Sequence, residues 1–439
     1  MPKLLYGSFY SAVKTLANHL PLVKTSKTIA SATNSALKQS GCAETQYRLS
    51  TPPSAIPLLK IIKALPTMFP LSWEKSLRDY EQFNRDAKKF QTELFSTLPF
   101  YPNPANRITS EFIETHVGGD AYINEFCVRP TFAKKTTTGK PQKHLILVHG
   151  YGAGMGFFIK NIEHLARNLI QDNWCIHAID LPGYGYSSRD KFPFKIHSDT
   201  PEHVEEWFHA KIHQWFRARG LLKNPDQNTV LAHSMGAYLM ATYAAQPSLQ
   251  NHWSKLIMCS PGGITPTKLQ PNPPLWFVKL WDQNISPFSI VRTLKRFGSK
   301  ITSAWTFRRF SNLGNSRLKL LLHRYTYAIF NAKGSGEYML SFFLKCGGDP
   351  RFPLQKRFFT NADNNNIHIP NILRNTKMEW IWLYGQNDWM NVDGGIACSK
   401  FLNAHDIKSK VAEIPNAGHH LYLDNEQIFN EFVLKELKK

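Results

Sequence analysis

The residue best placed to do chemistry in this sequence is a serine between small neighbours at a strand-to-helix junction. The apolar run Thr229-Val230-Leu231 leads into Ala232-His233-Ser234-Met235-Gly236, and alanine-rich Ala237-Tyr238-Leu239-Met240-Ala241 leads out. This is the pattern of a nucleophile elbow, G-x-S-x-G, where small residues flank the serine because the sharp turn admits no bulk on either side. Ala232 stands where the pattern has its first glycine. Such a turn lifts the hydroxyl into a cleft and aims the next backbone N–H, that of Met235 at the helix start, at a developing oxyanion. Small residues around a serine are also ordinary turn chemistry, so the reading depends on the partners.

An attacking serine needs a base to take its proton, and the base needs a carboxylate to fix its tautomer. The apolar run Trp380-Ile381-Trp382-Leu383-Tyr384 ends in Gly385-Gln386-Asn387-Asp388, placing Asp388 just past the carboxyl end of a strand, with Asp393 as its rival. The run Lys410-Val411-Ala412-Glu413-Ile414 opens into Pro415-Asn416-Ala417-Gly418-His419-His420, which makes His419 the candidate base and His420 its rival. The spacing from His419 to Asp424 also reads H-x-x-x-x-D, a signature of glycerolipid acyltransferases. Asp424 equally suits a cap for the amphipathic run that follows. A second oxyanion donor is expected in the glycine-rich loop His149-Gly150-Tyr151-Gly152-Ala153-Gly154 after the strand Leu145–Val148, from the backbone of Tyr151 or else Gly152. Such a loop also suits a phosphate or dinucleotide, but no acidic ribose partner follows in the expected way, and no cofactor is called for.

The elements that position these residues alternate. Phe112–Val117 and Ala121–Val128 flank Gly118-Gly119-Asp120 as a hairpin, Trp73–Leu94 reads as one charged amphipathic helix, and short strands then alternate with helical patterns. The alternation predicts an α/β fold with a mostly parallel sheet and helices on both faces. The expected organisation is 1–45 presequence, 46–105 proline-punctuated segment and helix, 106–262 first part of the core, 263–369 helical cap, and 370–439 second part of the core.

Charge gives the second clue, since the net charge is +21. No Asp or Glu occurs between Asp282 and Glu337, where Arg292, Lys295, Arg296, Lys300, Arg308 and Arg309 interleave with aromatics such as Trp305. A basic helical surface with aromatic anchors suits an anionic membrane, each cation near the headgroups contributing about 1 kcal/mol. Nucleic acid is disfavoured by the absence of zinc spacing, an RNP-like run or a helix-turn-helix. Met1–Ala43 carries lysines, many Ser and Thr and no acid, the composition of a mitochondrial transit peptide, although no arginine occurs before Arg48. No apolar run approaches the roughly 20 residues of a spanning helix. The six cysteines are dispersed without metal spacing, so no metal is expected and a reducing compartment is the simpler reading.

The loop His149–Gly154, the elbow Ala232–Gly236, Asn331-Ala332-Lys333-Gly334-Ser335-Gly336-Glu337-Tyr338, Gly385-Gln386-Asn387-Asp388-Trp389-Met390 and Gly418–Asp424 together resemble one α/β-hydrolase subfamily. It holds fungal mitochondrial cardiolipin-specific deacylases, related lysophosphatidic acid acyltransferases, and animal lipase coactivators and N-acyl phospholipid hydrolases. The resemblance runs from about Trp73 to the C-terminus. It implies Ser234 as nucleophile, Asp388 as acid, His419 as base, and a phospholipid substrate. The resulting expectation is a peripheral enzyme of the mitochondrial inner membrane, on its matrix side, that deacylates cardiolipin to monolysocardiolipin. The alternatives are acyl transfer from acyl-CoA to a lysophospholipid, or a non-catalytic lipid-binding adaptor.

Overall fold

The computed structural model describes residues 67–131, 141–267, 275–311, 313–359 and 377–439. The expected presequence 1–45 and the proline-punctuated stretch as far as Pro66 lie outside them. The chain divides into two compact units, Met1–Pro70 and Leu71–Lys439, and all that follows concerns the second.

Eight strands carry the unit: β1 (Ile108–His116), β2 (Tyr122–Pro130), β3 (Lys143–Val148), β4 (Trp174–Ile179), β5 (Asn228–His233), β6 (Lys255–Cys259), β7 (Glu379–Gly385) and β8 (Ser409–Ile414). They form one sheet in the order β1-β2-β4-β3-β5-β6-β7-β8. β1 and β2 are the expected hairpin, turning through Gly118 and Gly119 at φ 114° and 52°, where a Cβ would be strained. β2 meets β4 antiparallel, and the pairs from β4 through β8 are parallel. Central parallel strands are covered on both faces, so they read as unbroken apolar runs. Leu145, Ile146, Leu147 and Val148 of β3 accordingly have no exposed surface.

Helices α1 (Trp73–Arg85) and α2 (Lys88–Phe95) precede the sheet, so the single helix expected over Trp73–Leu94 is two. The break falls at Asp86, whose extended backbone (φ −160°) ends α1. Helices α3 (Ile159–Leu169), α4 (Pro201–Ala218) and α5 (Met235–Ala244) connect the central strands. Between β6 and β7 the described chain is helical, as expected of a cap: α6 (Leu275–Asp282), α7 (Phe288–Thr293), α8 (Gly298–Arg309), α9 (Ser316–Asn331), α10 (Leu340–Phe343) and α11 (Leu354–Phe358). Helices α12 (Val392–Asn403), α13 (Leu421–Asp424) and α14 (Glu426–Leu437) complete the core. α3 and α14 share one apolar layer, with Ile162, Leu165, Phe429 and Val433, and α4, α5 and α12 fill the other, with Phe208, Trp215, Tyr243 and Cys398. Among the described residues no helix is long and apolar enough to cross a membrane.

The side of the sheet under α4 holds a buried charge. Glu125 on β2 accepts from His177 Nδ1 at 2.7 Å on Oε1 and from Trp215 Nε1 at 3.0 Å on Oε2, and Arg219 Nε also lies 3.0 Å from Oε2. Burial alone pushes this carboxyl up, but His177 and Arg219 hold it below the usual carboxylate range. Removing one member of a buried ion pair strands the other charge, at about 3–5 kcal/mol. Glu125→Ala is therefore expected to lose stability on that scale in urea denaturation, and the double variant with Arg219→Met to lose less than the single one. A single variant as stable as the parent would contradict this account.

Candidate active site

The elbow forms where β5 runs out and α5 begins. Ser234 sits between them at φ 53°, ψ −115°, a strained conformation for a residue with a Cβ. Its surroundings hold it there: Ser234 N–H donates to the Cys259 carbonyl at 2.9 Å, and its own carbonyl accepts from Gly262 at 3.2 Å. The glycines around it are demanded by close approach. A Cβ at Gly236 would stand 2.3 Å from the His149 carbonyl oxygen, and one at Gly150 would stand 2.9 Å from Ser234 Cβ. Ala232, which departs from the elbow pattern, lies in the ladder between Val148 and Met258 and is fully buried.

The structure brings Ser234, His419 and Asp388 together. Ser234 Oγ lies 3.0 Å from His419 Nε2, and His419 Nδ1 lies 3.3 Å from Asp388 Oδ1. Asp388 also accepts from the Ser260 hydroxyl at 2.5 Å and the Met390 N–H at 3.1 Å. Its site is buried, which alone would raise its pKa, but His419, Ser260 and the Met390 amide hold the carboxyl below its ordinary value. Asp393, the rival acid, lies in the first turn of α12. His420, the rival base, packs between Phe157, Trp305 and Tyr422, and burial keeps its ring neutral, well below the usual histidine range.

Met235 and Tyr151, the residues expected to supply oxyanion donors, flank this group. Among the described residues neither backbone N–H has a hydrogen-bond partner. Gly150, the residue before Tyr151, abuts Ser234. His149 locks the loop: its Nδ1–H donates to Gly150 O at 2.7 Å, and its Nε2 accepts from Leu181 N–H at 3.0 Å. Asp180, at the end of β4, gathers Met155 N–H, Tyr186 N–H and Asn124 Nδ2 at 2.8, 2.9 and 2.9 Å, tying the loop to its neighbour. A shallow opening with about 10 Å³ of free space, room for about one water, borders Tyr151, lined by Trp281, Asn284, Ile285, Ser286, Glu337 and Leu340 among others.

Several expectations are corrected. Arg292, expected at a membrane, pairs inward with Glu337 at 2.7 Å, and Arg309 with Asp424 at 2.8 Å. Trp305 packs against Phe157, Phe310, Phe330 and His420, and Lys300 Nζ donates to Leu71 O at 2.6 Å. Lys295, Arg296 and Arg308 remain exposed. Asp424 does not cap α14: Asn425 does, its side chain accepting from Ile428 N–H. Asp424 instead accepts from Gly418 N–H at 3.0 Å, beneath the loop that carries His419. Ser260 went unread in the sequence, although a serine ending the strand after the elbow was the available signal.

Among the described residues, Glu125, Cys127 and His177 have ligand atoms within 4.8 Å of one another. Arg219 already supplies the cation there, with Nη2 3.7 Å from Cys127 Sγ. The described cysteines are free thiols.

Gly236→Ala is expected to abolish the cooperative thermal transition or lower its midpoint by many degrees, since backbone stands where the methyl would go. Ser260→Ala leaves one Asp388 oxygen without its donor, and its labelling at Ser234 by a fluorophosphonate is expected to slow about tenfold with the fold intact.

A family model described as the alpha/beta hydrolase fold matches residues 143–426. A rice protein, "Probable 1-acylglycerol-3-phosphate O-acyltransferase", is 30% identical over 312 residues, 67% of each chain. A mouse "(Lyso)-N-acylphosphatidylethanolamine lipase" is 26% identical over 67% of this chain and 79% of that protein. The chain thus spans about two thirds of the length of its plant relatives. Among solved structures, a Bacillus subtilis carboxylesterase, CesB, superposes with a TM-score of 0.50 at 14% identity, covering 80% of this chain and 97% of its own. The strand order, the strained serine between β5 and α5 and the matched family model agree: the chain belongs to the α/β-hydrolase fold family.

Proposed function

We propose that this protein is a serine acyl hydrolase of phospholipids that removes a fatty acyl chain from cardiolipin at the matrix face of the mitochondrial inner membrane. The observation that carries the enzymatic half is the geometry around Ser234, with Oγ 3.0 Å from His419 Nε2 beside two unengaged backbone donors. In this mechanism Ser234 Oγ attacks the ester carbonyl while its proton passes to His419 Nε2. The amides of Met235 and Tyr151 receive the oxyanion. The carbon–oxygen bond to the glycerol breaks, the departing lysolipid oxygen takes the proton from His419, and an acyl-serine remains. Water then attacks, giving its proton to His419, and collapse of the second tetrahedral intermediate returns that proton to Ser234 and releases the fatty acid.

The lipid half is supported by the glycerophospholipids in the names of the relatives, and the choice of cardiolipin by the acid-free N-terminal composition and the basic cap. Exposed Lys295, Arg296 and Arg308 present charge, while Phe297, 47% exposed and 4.3 Å from the Trp73 ring, presents an aromatic edge. A second reading, acyl transfer, is favoured by the rice relative's name. The acyl-serine is common to both readings, and a lysophospholipid hydroxyl replaces water in the second.

Purified protein on cardiolipin vesicles is expected to release fatty acid without acyl-CoA, and Ser234→Ala to reduce the rate by about a thousandfold or more. Product formed only when acyl-CoA and a lysophospholipid are supplied would replace hydrolysis by transfer. Release that survives Ser234→Ala would sink both. Changing Lys295, Arg296 and Arg308 together to Glu is expected to weaken cosedimentation with anionic vesicles at least tenfold and leave hydrolysis of a short soluble ester unchanged. An import assay tests the address: protein that remains outside mitochondria with residues 1–45 intact overturns the cardiolipin assignment.

A further inference from the structure

The loop that carries His419 is held from three sides. His233 Nε2–H donates to the His419 carbonyl at 2.9 Å from the elbow. Asp424 Oδ2 accepts from Gly418 N–H at 3.0 Å. The third hold comes from the cap: Arg309, the last residue of α8, places Nη1 2.8 Å from Asp424 Oδ1 and Nη2 3.5 Å from the His420 carbonyl. The guanidinium thus grips the loop on both sides of the base, through Asp424 to Gly418 and directly at His420. The pair is shielded, with side-chain exposures of 18% and 12%, so water weakens it less than a surface pair. Trp305 on α8 packs against Phe157 and His420, and Phe310, just past its end, against Phe157 and Trp305, fixing the helix end at that spot.

We infer that Arg309 and Asp424 are positioning residues that make the alignment of His419 depend on the seating of the cap. Gly418 N–H belongs to the residue just before the base, and a carboxylate ion-paired on its far side is fixed in place as its acceptor. If α8 moves away, Asp424 loses its counter-charge and the His420 carbonyl its donor, and Nε2 drifts from Ser234 Oγ. A misplacement of the order of 1 Å costs up to about a hundredfold in rate. Asp424 acts through the backbone, which differs from a direct role in proton transfer within the H-x-x-x-x-D spacing.

Fluorophosphonate labelling of Ser234 tests this without any lipid, so failure of the positioning inference is distinguishable from failure of the substrate assignment. Arg309→Met and Asp424→Ala are expected to lower the limiting labelling rate about tenfold with half-saturation unchanged, and Arg309→Lys to recover most of it. Arg167→Met, which removes an exposed pair with Glu163 on α3, serves as the control and is expected to label at the parent rate. Melting curves accompany each variant. Should Asp424→Ala not fold, Asp424→Asn, which keeps an acceptor for Gly418 and loses the charge, is expected to behave as Arg309→Met does. Parent-rate labelling by a folded Arg309→Met, or a loss that Arg309→Lys does not recover, overturns the inference.

Discussion

Two backbone segments approach more closely here than side chains would allow, and the rest of the site follows from that. The loop after β3 lies against the elbow after β5 so tightly that a Cβ on Gly236 would collide with the His149 carbonyl, and one on Gly150 with Ser234. The amides of Tyr151 and Met235, each next to one of these contacts, have no hydrogen-bond partner among the described residues. In the proposed mechanism these two donors would receive the oxyanion, and a looser contact would hold them farther apart. Strain at Ser234 belongs to the same constraint: a left-handed residue persists only where its surroundings over-determine it, and the bonds to Cys259 and Gly262 do so.

Much of this was legible in the order of residues. Apolar runs ending in Ser234, Asp388 and His419 placed each functional group past the carboxyl end of a strand, because parallel central strands must be apolar throughout and their loops must hold what is polar. The helical insertion between β6 and β7 was legible for the complementary reason, the loss of strand rhythm after Ser260. What the sequence did not disclose lies in pairings across long separations. Glu337 and Asp424 claim Arg292 and Arg309 over 45 and 115 residues, and nothing local distinguishes those arginines from exposed Arg308. The break at Asp86 was hidden because charged helical periodicity continues through it.

The cap therefore has two kinds of cation. Those facing inward neutralise carboxylates and fasten the helices to the core, as Arg324 does for Asp79 and Glu93 of the helices that precede the sheet. Those facing outward, with Phe297 beside Trp73, are the ones that long-range attraction to an anionic surface can use. Formal charge counted along the chain overstates the second class, because inward pairs contribute little field outside.

Behind Ser234 stand three imidazoles with centroids 4.8 to 5.4 Å apart, those of His233, His419 and His420. Burial keeps the first and third neutral, and His233 has its Nε2–H committed to the His419 carbonyl. Such a cluster would ordinarily share a proton among its members and let it leak away. Here two of the rings are closed to it, so in the proposed mechanism a proton passed from Ser234 to His419 would find no relay through His233 or His420.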